Sequence, residues 1–400
     1  MHVPSATPDL PHHGVDPQAG LPPRIAVIGA GAWGTALAAA LQRGGSQVTL
    51  WARRPDLVHA LQTQSSNPRH LPGIVLPPGL RATTALAEAL AGARLVVLAL
   101  PSAALRETAQ RVAPLLAPDT VVLTACKGFE RQSGALPIDV LRECCDGDPL
   151  LGVLSGPSFA DEVARGLPTR LTLAMPALQP SHAQARHARA FALGLRRQLA
   201  EAAIMLDLTE DAVAAQVGGA MKNIVAIASG MAMAQDLGEN ARAAIVTLGL
   251  DDMRRLTRAL GGRSQTLLRS CGVGDLFLTV ASTRSRNTRL GLRLGRGDGL
   301  DASVATAASG GGLAEGAIAA LSVQALERRH GLHLHVAACV RDVLLQHVSV
   351  PQALARLLRD SPAQALPEPV PSAMAPAQQD GRLAKAARLA TAISSQRLLQ

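Results

Sequence analysis

Lysine stands at only three positions of the chain, 127, 222 and 385, and the other 36 basic residues are arginine. A chain that uses arginine wherever a positive charge will do keeps lysine where arginine cannot serve. A guanidinium does not give up its proton in a protein, whereas an ammonium pKa falls when the group is desolvated. Lys127 and Lys222 are therefore candidates for proton transfer or for a compact charge, and Lys385 is read as incidental. Lys222 lies in GGAMKN, inside a run that is apolar on both sides, so burial brings its neutral form within reach near neutral pH. A snorkelling or ion-paired core lysine is the alternative reading there. Lys127 lies in ACKGFE, at the carboxyl end of an apolar strand, the edge at which open α/β sheets bind ligands.

Two further groups complete the chemistry. Ser285, Arg286 and Asn287 supply a hydroxyl, a guanidinium and an amide together, the donor set a phosphate monoester needs. If the triplet opens a helix, the free N–H groups of the first turn add to it; an ordinary helix N-cap is the competing reading. Residues 29–34 read GAGAWG, directly after the apolar run RIAVIG and directly before the helical pattern TALAAALQRGG. Gly29 allows a tight turn, Gly31 lets backbone approach a pyrophosphate, and Gly34 lets the helix pack closely on the strand. The anion then sits at a helix N-terminus, where free N–H groups and the dipole favour it. At the end of the second strand, where an acid would hold the ribose 2′-hydroxyl of NAD, the chain carries Arg53 and Arg54. Two guanidiniums there can clamp a 2′-phosphate, so NADP(H) is preferred, with NAD(H) as the alternative.

These groups need a scaffold, and the hydrophobic pattern describes one. RIAVIG (24–29), QVTLWA (47–52), ARLVVLAL (93–100), TVVLTA (120–125) and LLGVLSG (150–156) read as buried strands alternating with helical patterns. Near-continuous apolar runs are what a parallel sheet covered on both faces requires. Residues 24–206 are thus expected to form a doubly wound Rossmann domain of the α/β class. From 207 to 360 the apolar positions recur at helical spacing, which predicts a second, all-helical domain. Residues 1–23 read as a flexible Pro-rich extension. Residues 361–400 read as a Pro/Ala-rich tail in which 382–399 can form a short basic amphipathic helix.

Composition closes off other classes. Aromatic residues make up 2% and tyrosine is absent, against modules that stack nucleobases. The formal charge of +9 suits anionic partners, but its arginines are spread without a dense block, so no nucleic-acid partner is expected. Five cysteines, an odd number with no C-x-x-C, indicate neither a disulfide framework nor a zinc site. His333 and His335 do not share a helix face, and no metal is expected. The stretch 212–234 is long and apolar enough to mimic a membrane span, but Lys222 and Asn223 at its middle argue for a buried helix. No basic n-region with an apolar h-region opens the chain. A cytoplasmic protein without stable membrane insertion is the expectation.

The ordered series GAGAWGTALA (29–38), LPS (100–102), CKGFE (126–130), LSGPSFADEVARGLPT (154–169), QVGGAMKNIVAIASGM (216–231), GVGDLFLT (272–279) and SRNTRLG (285–291) resembles the NAD(P)-dependent glycerol-3-phosphate dehydrogenases of bacterial type, from about residue 24 to 355. The resemblance implies reversible hydride transfer between sn-glycerol 3-phosphate and dihydroxyacetone phosphate, run toward glycerol 3-phosphate for phospholipid synthesis. It implies Lys222 as proton acceptor and donor at the C2 oxygen. Lys127 would lie near cofactor and substrate, Gly156 and Ser158 at the substrate, and Ala160 at the cofactor. Asp275, Ser285, Arg286 and Asn287 would complete the substrate side, with Arg286 also touching the cofactor. Trp33, Arg53 and, more loosely matched, Glu315 would meet the cofactor. A homodimer is implied as well. The chain departs from the pattern at Leu248, where the family usually has arginine, and at Asp252, where it usually has glutamate. The competing readings are a related two-domain dehydrogenase for another hydroxy acid or sugar phosphate, and a non-catalytic NADP(H)-binding protein.

Overall fold

A computed structural model describes residues 24–146, 149–298 and 314–359. The segments 1–23, 361–381 and 382–399, and with them Lys385, lie outside the described residues, and of GGLAEG only Ala314–Gly316 lie within them.

The five apolar runs form strands β1 (Arg24–Ile28), β2 (Gln47–Trp51), β6 (Leu95–Leu98), β7 (Val121–Thr124) and β8 (Leu151–Ser155). Three further strands were not read from the sequence: β5 (Arg81–Thr83), β9 (Thr169–Ala174) and β10 (Ile204–Thr209). Together they build an eight-stranded sheet in the order β10-β9-β8-β7-β6-β1-β2-β5, while a small hairpin, β3 (Ser66–Asn67) with β4 (Leu71–Val75), stands apart. All sheet pairs are parallel except β8 with β9. The all-parallel reading is corrected at that one pair. Residues 156–168, whose one helix is the five-residue stretch Ala160–Ala164, join β8 to β9, and the chain turns back to run antiparallel beside it. The sheet runs through Thr209, a few residues beyond the boundary drawn at 206.

The strand order reverses between β1 and β6, and the loops that leave their carboxyl ends open the crevice where such sheets bind ligands. Helix α1 (Ala32–Arg43) follows β1, α2 (Pro55–Gln64) follows β2, α3 (Leu86–Leu90) follows β5, and α4 (Leu105–Val112) follows β6. After β7 comes α5 (Pro137–Cys144), after β8 the short α6 (Ala160–Ala164), and after β9 the crossover α7 (Ala185–Ala200).

The second half is helical, as its apolar spacing predicts. It is organised around α8 (Ala212–Ala234), the stretch with the composition of a membrane span, which lies almost entirely buried inside the protein. Asp211 caps it by accepting from the Ala214 N–H at 3.0 Å. Glycine and alanine recur along α8, so partner backbones come very close. A Cβ on Gly218 would sit 2.4 Å from the Cys271 carbonyl oxygen, and one on Gly230 would sit 2.2 Å from that of Thr288. Around α8 pack α9 (Gly238–Ala259), α10 (Asp275–Val280), α11 (Arg286–Gly295) and the helices Glu315–His330 and His335–Leu344. The two departures from the family pattern have structural places here. Asp252 is fully buried and accepts from the backbone N–H groups of His335 and Val336 at 2.9 and 2.8 Å, capping that last helix. Leu248 packs against the core.

Candidate active site

The glycine-rich turn has the geometry its spacing predicts. Gly29 has φ +118°, and a Cβ there would lie 2.5 Å from the Ala99 carbonyl oxygen. A Cβ on Gly34 would fall 1.9 Å from the Gly29 carbonyl oxygen, so any side chain would push α1 off β1. A Cβ on Gly31 would meet nothing within 4 Å. Gly31 is the N-cap of α1 and carries no side chain to satisfy the first-turn N–H groups. That open, positive cradle fits a dinucleotide pyrophosphate. The buried indole N–H of Trp33 in the same turn has no partner within the described residues. The hairpin is pinned against this turn by Asn67, which donates to the Ala30 carbonyl at 3.0 Å and to Thr35 Oγ1 at 2.8 Å.

The second candidate group divides. Arg54 makes a bidentate pair with Asp56 at 2.6 and 3.0 Å on the exposed start of α2. Arg53 is exposed and makes no ion pair among the described residues. Burial and then the charges of Arg69, Arg286 and Arg54 push the His70 imidazole below its ordinary value. Three guanidiniums, from the start of α2, the hairpin and α11, thus direct positive field to one place.

Lys127, Lys222 and Asp275 meet in space although up to 148 residues separate them. Lys222 on α8 donates to Asp275 Oδ1 at 2.5 Å and to Thr279 Oγ1 at 2.9 Å. Lys127, in the loop after β7, donates to Asp275 Oδ2 at 2.7 Å and to the Gly156 carbonyl at 3.0 Å. Asp275 is wholly buried and Lys222 nearly so. Desolvation dominates at Lys222 and lowers its pKa to about 8; Asp275 opposes the shift and Lys127 adds to it. One amine is thereby poised between protonation states while its carboxylate partner holds it in place.

The Ser-Arg-Asn triplet does open a helix. Ser285 is the N-cap of α11 and accepts from the Thr288 N–H at 3.3 Å. Asn287 is buried, donates to Asn223 Oδ1 at 2.9 Å and accepts from the Gly316 N–H at 3.0 Å. It therefore ties α11 to α8 beside Lys222, and to the start of the helix Glu315–His330. Arg286 is exposed at the cleft. Glu315 has its carboxyl pushed up by burial, against the pull of Arg286, Lys127 and Lys222. Ser158 donates to the Gly156 carbonyl at 3.1 Å, and Ala160 begins α6. Arg106 on α4 binds Glu130 of the CKGFE loop at 2.6 Å, fixing the Lys127 loop against α4.

Two halves of the chain match family models. Residues 24–180 match the N-terminal domain of NAD-dependent glycerol-3-phosphate dehydrogenase, and residues 211–355 match its C-terminal domain. The chain belongs to the NAD-dependent glycerol-3-phosphate dehydrogenase family. It is 42% identical over 337 residues to the glycerol-3-phosphate dehydrogenase (NAD(P)+) of Stenotrophomonas maltophilia, covering 84% of this chain and 94% of that protein. The enzyme of the same name from Rhodospirillum rubrum is 43% identical over 334 residues, covering 84% and 91%. The crystal structure of glycerol-3-phosphate dehydrogenase from Coxiella burnetii superposes with a TM-score of 0.76 at 35% identity, over 84% of this chain and 99% of that one. The dehydrogenase is thus an oxidoreductase that interconverts glycerol 3-phosphate and its ketone with a nicotinamide cofactor.

Several residues that pack at the candidate site escaped the sequence reading. Thr279 follows Asp275 by one helical turn, and that i, i+4 spacing is the signal that could have found it. Asn67 and His70 lie in SNPRH, where Asn-Pro marks a turn but nothing says what the turn faces. Asn223 was noted only as a neighbour of Lys222, while its partner Asn287 comes from another helix.

Proposed function

We propose that Lys222 is the group that exchanges a proton with the C2 oxygen of the substrate, and that the enzyme prefers NADP(H). The observation that carries the first part is the buried contact of Lys222 with Asp275, beside the start of α11. A dinucleotide held by its pyrophosphate at Gly29, Gly31 and Gly34 would supply or accept the hydride through its nicotinamide. The chain does the rest. Lys222 gives a proton to the oxygen as the ketone is reduced and takes it back as the alcohol is oxidised. Asp275 and Thr279 orient its ammonium. Lys127 adds a second positive charge near the reacting oxygen. Arg286, Asn287, Ser285 and the free N–H groups of α11 receive the phosphate, with Ser158 and Gly156 on the facing wall. Trp33, Ala160 and Glu315 border the cofactor.

The test is absorbance at 340 nm with purified protein, dihydroxyacetone phosphate, and NADPH or NADH in parallel. Saturable oxidation that is faster with NADPH at equal concentrations supports both parts; equal or greater use of NADH removes the preference. Arg53→Gln is expected to weaken NADPH binding roughly tenfold to a hundredfold, the size of one charged hydrogen bond, and NADH hardly at all. Arg54→Gln should cost less, because Arg54 is already held by Asp56. Fluorescence titration with both cofactors reads the difference, and equal losses would show that neither arginine reads the 2′-phosphate.

The pH profiles should cross. Reduction needs the ammonium, so its kcat/KM falls as pH rises through about 8, the pKa to which burial lowers Lys222. Oxidation needs the free amine and rises through the same point. Two limbs that move in the same direction would exclude Lys222 as the titrating group. The family resemblance further supports a cytoplasmic homodimer that feeds glycerol 3-phosphate to phospholipid synthesis. Light scattering of the purified chain tests the dimer.

A further inference from the structure

Arg284 stands immediately before Ser285, in the loop that joins α10 to α11. Its guanidinium crosses to the Rossmann half. Nη1 lies 2.5 Å from Glu162 Oε1, Nη2 lies 2.6 Å from both oxygens of Asp161, and Cζ lies 4.4 Å from the centre of the Phe159 ring. Its partners directly follow Ser158 in the chain. One side chain therefore ties the segment just after Ser158 to the helix that begins with Arg286, across more than 120 residues of sequence. Neither the proton group nor the glycine-rich turn uses it. The side chains of Arg284, Asp161 and Glu162 are 49%, 36% and 39% exposed, so the contact sits on the wet rim of the cleft. A lone ion pair so exposed stabilises little. Here one guanidinium serves two carboxylates and stacks on a ring, so its ordering is shared among three contacts.

We propose that Arg284 is a positioning residue that latches α6 to α11 and sets the gap between the two walls of the substrate site. The proposal rests on the placement of the substrate between Ser158 and Asn287 given above. Lys222, Asp275 and Thr279 lie on α8 and α10, and Lys127, which joins Asp275 to the Gly156 carbonyl, comes from the loop after β7, so none of the four stands on α6. Opening the latch therefore leaves the proton transfer intact and makes the substrate itself close the two walls. Affinity for the phosphorylated substrate falls while the rate at saturation holds.

The experiment is steady-state kinetics on the full chain. Arg284→Gln should raise KM for dihydroxyacetone phosphate about five- to twentyfold, with kcat within about twofold and NADPH affinity nearly unchanged. The pair Asp161→Asn with Glu162→Gln should give the same rise from the other side. All three changes together should add nothing further, since they break one contact. Arg284→Lys keeps the charge without the fork and should recover only part of the loss. Raising salt from about 0.05 to about 0.5 M should increase the wild-type KM by a larger factor than that of Arg284→Gln. Unchanged KM in both neutralised variants, additive effects, or a loss confined to kcat would overturn the latch. Should Arg284→Gln fail to fold, the carboxylate variant carries the test. Asn287→Ala separates the two readings. If it raises KM while the latch variants do not, the latch alone fails; if it too leaves KM unchanged, the substrate placement fails and the latch with it.

Discussion

Lys222→Ala is expected to lower kcat in both directions by about 10²–10⁴-fold, the usual worth of a positioned acid or base, while cofactor affinity stays within about threefold. Lys222 sits on α8, apart from the glycine-rich turn between β1 and α1 and from Arg53 after β2, so cofactor binding has no direct stake in it. The fold should persist too. Asp275 keeps Lys127 as a counter-ion at 2.7 Å, so the deletion does not strand a buried carboxylate. Lys222→Arg makes the sharper chemical case. A guanidinium keeps a positive charge but cannot serve as the base, so oxidation of glycerol 3-phosphate should not recover even if the side chain fits. Rapid mixing with NADPH at 340 nm, beside a fluorescence titration of the cofactor, reads both quantities. Turnover close to wild type in Lys222→Ala would remove the lysine from the mechanism.

Asp275→Asn should be the most destabilising conservative change in the site, by about 3–5 kcal/mol near neutral pH, because it leaves the buried Lys222 ammonium and the partly buried Lys127 ammonium without their shared anion. The loss should depend on pH, and its sign follows from Lys222. That amine has its pKa lowered in the folded protein to about 8, below the ordinary 10.5. Between those values the unfolded chain binds more protons than the folded one, so the Lys222 contribution to stability improves as pH rises through that window. Asp275 is the group that holds the pKa up against desolvation. Without it the lysine sheds its proton at lower pH, which widens the window downward and relieves the repulsion with Lys127. Denaturation of Asp275→Asn and wild type at about pH 6.5 and about pH 9.5 should therefore show a clearly smaller difference at the higher value. A difference independent of pH would mean that the lysine charges are not what the carboxylate offsets. In the same variant the descending limb of the reduction profile should move to lower pH.

The sequence alone determined the dinucleotide fold and the identity of most candidate groups. Gly29, Gly31 and Gly34 act over six residues between a strand and a helix, and local backbone sterics alone give that spacing its meaning. The five central strands are continuous apolar runs because both faces of the sheet are covered, and that pattern needs no knowledge of partners. Lys127 and Lys222 stood out by residue choice, since arginine cannot replace an amine that must change charge. Strands β5, β9 and β10 were not legible. The first is three residues long, β10 is an edge strand with partly exposed residues, and β9, between β8 and β10, opens on two residues that are not buried.

Only the tertiary structure decided how these groups meet. That Asp275 bridges both lysines depends on α10 packing beside α8 and on both facing the loop after β7. The small residues of α8 permit that approach but do not announce which helix takes it. The division between Arg53 and Arg54 turned on Asp56, two residues away yet able to pair only once α2 had fixed its first turn. Arg284 was indistinguishable from any other arginine in an arginine-rich chain. Its role follows from contacts with α6 more than 120 residues away, and pairing over such a distance is set by the packing of whole elements and by no local spacing.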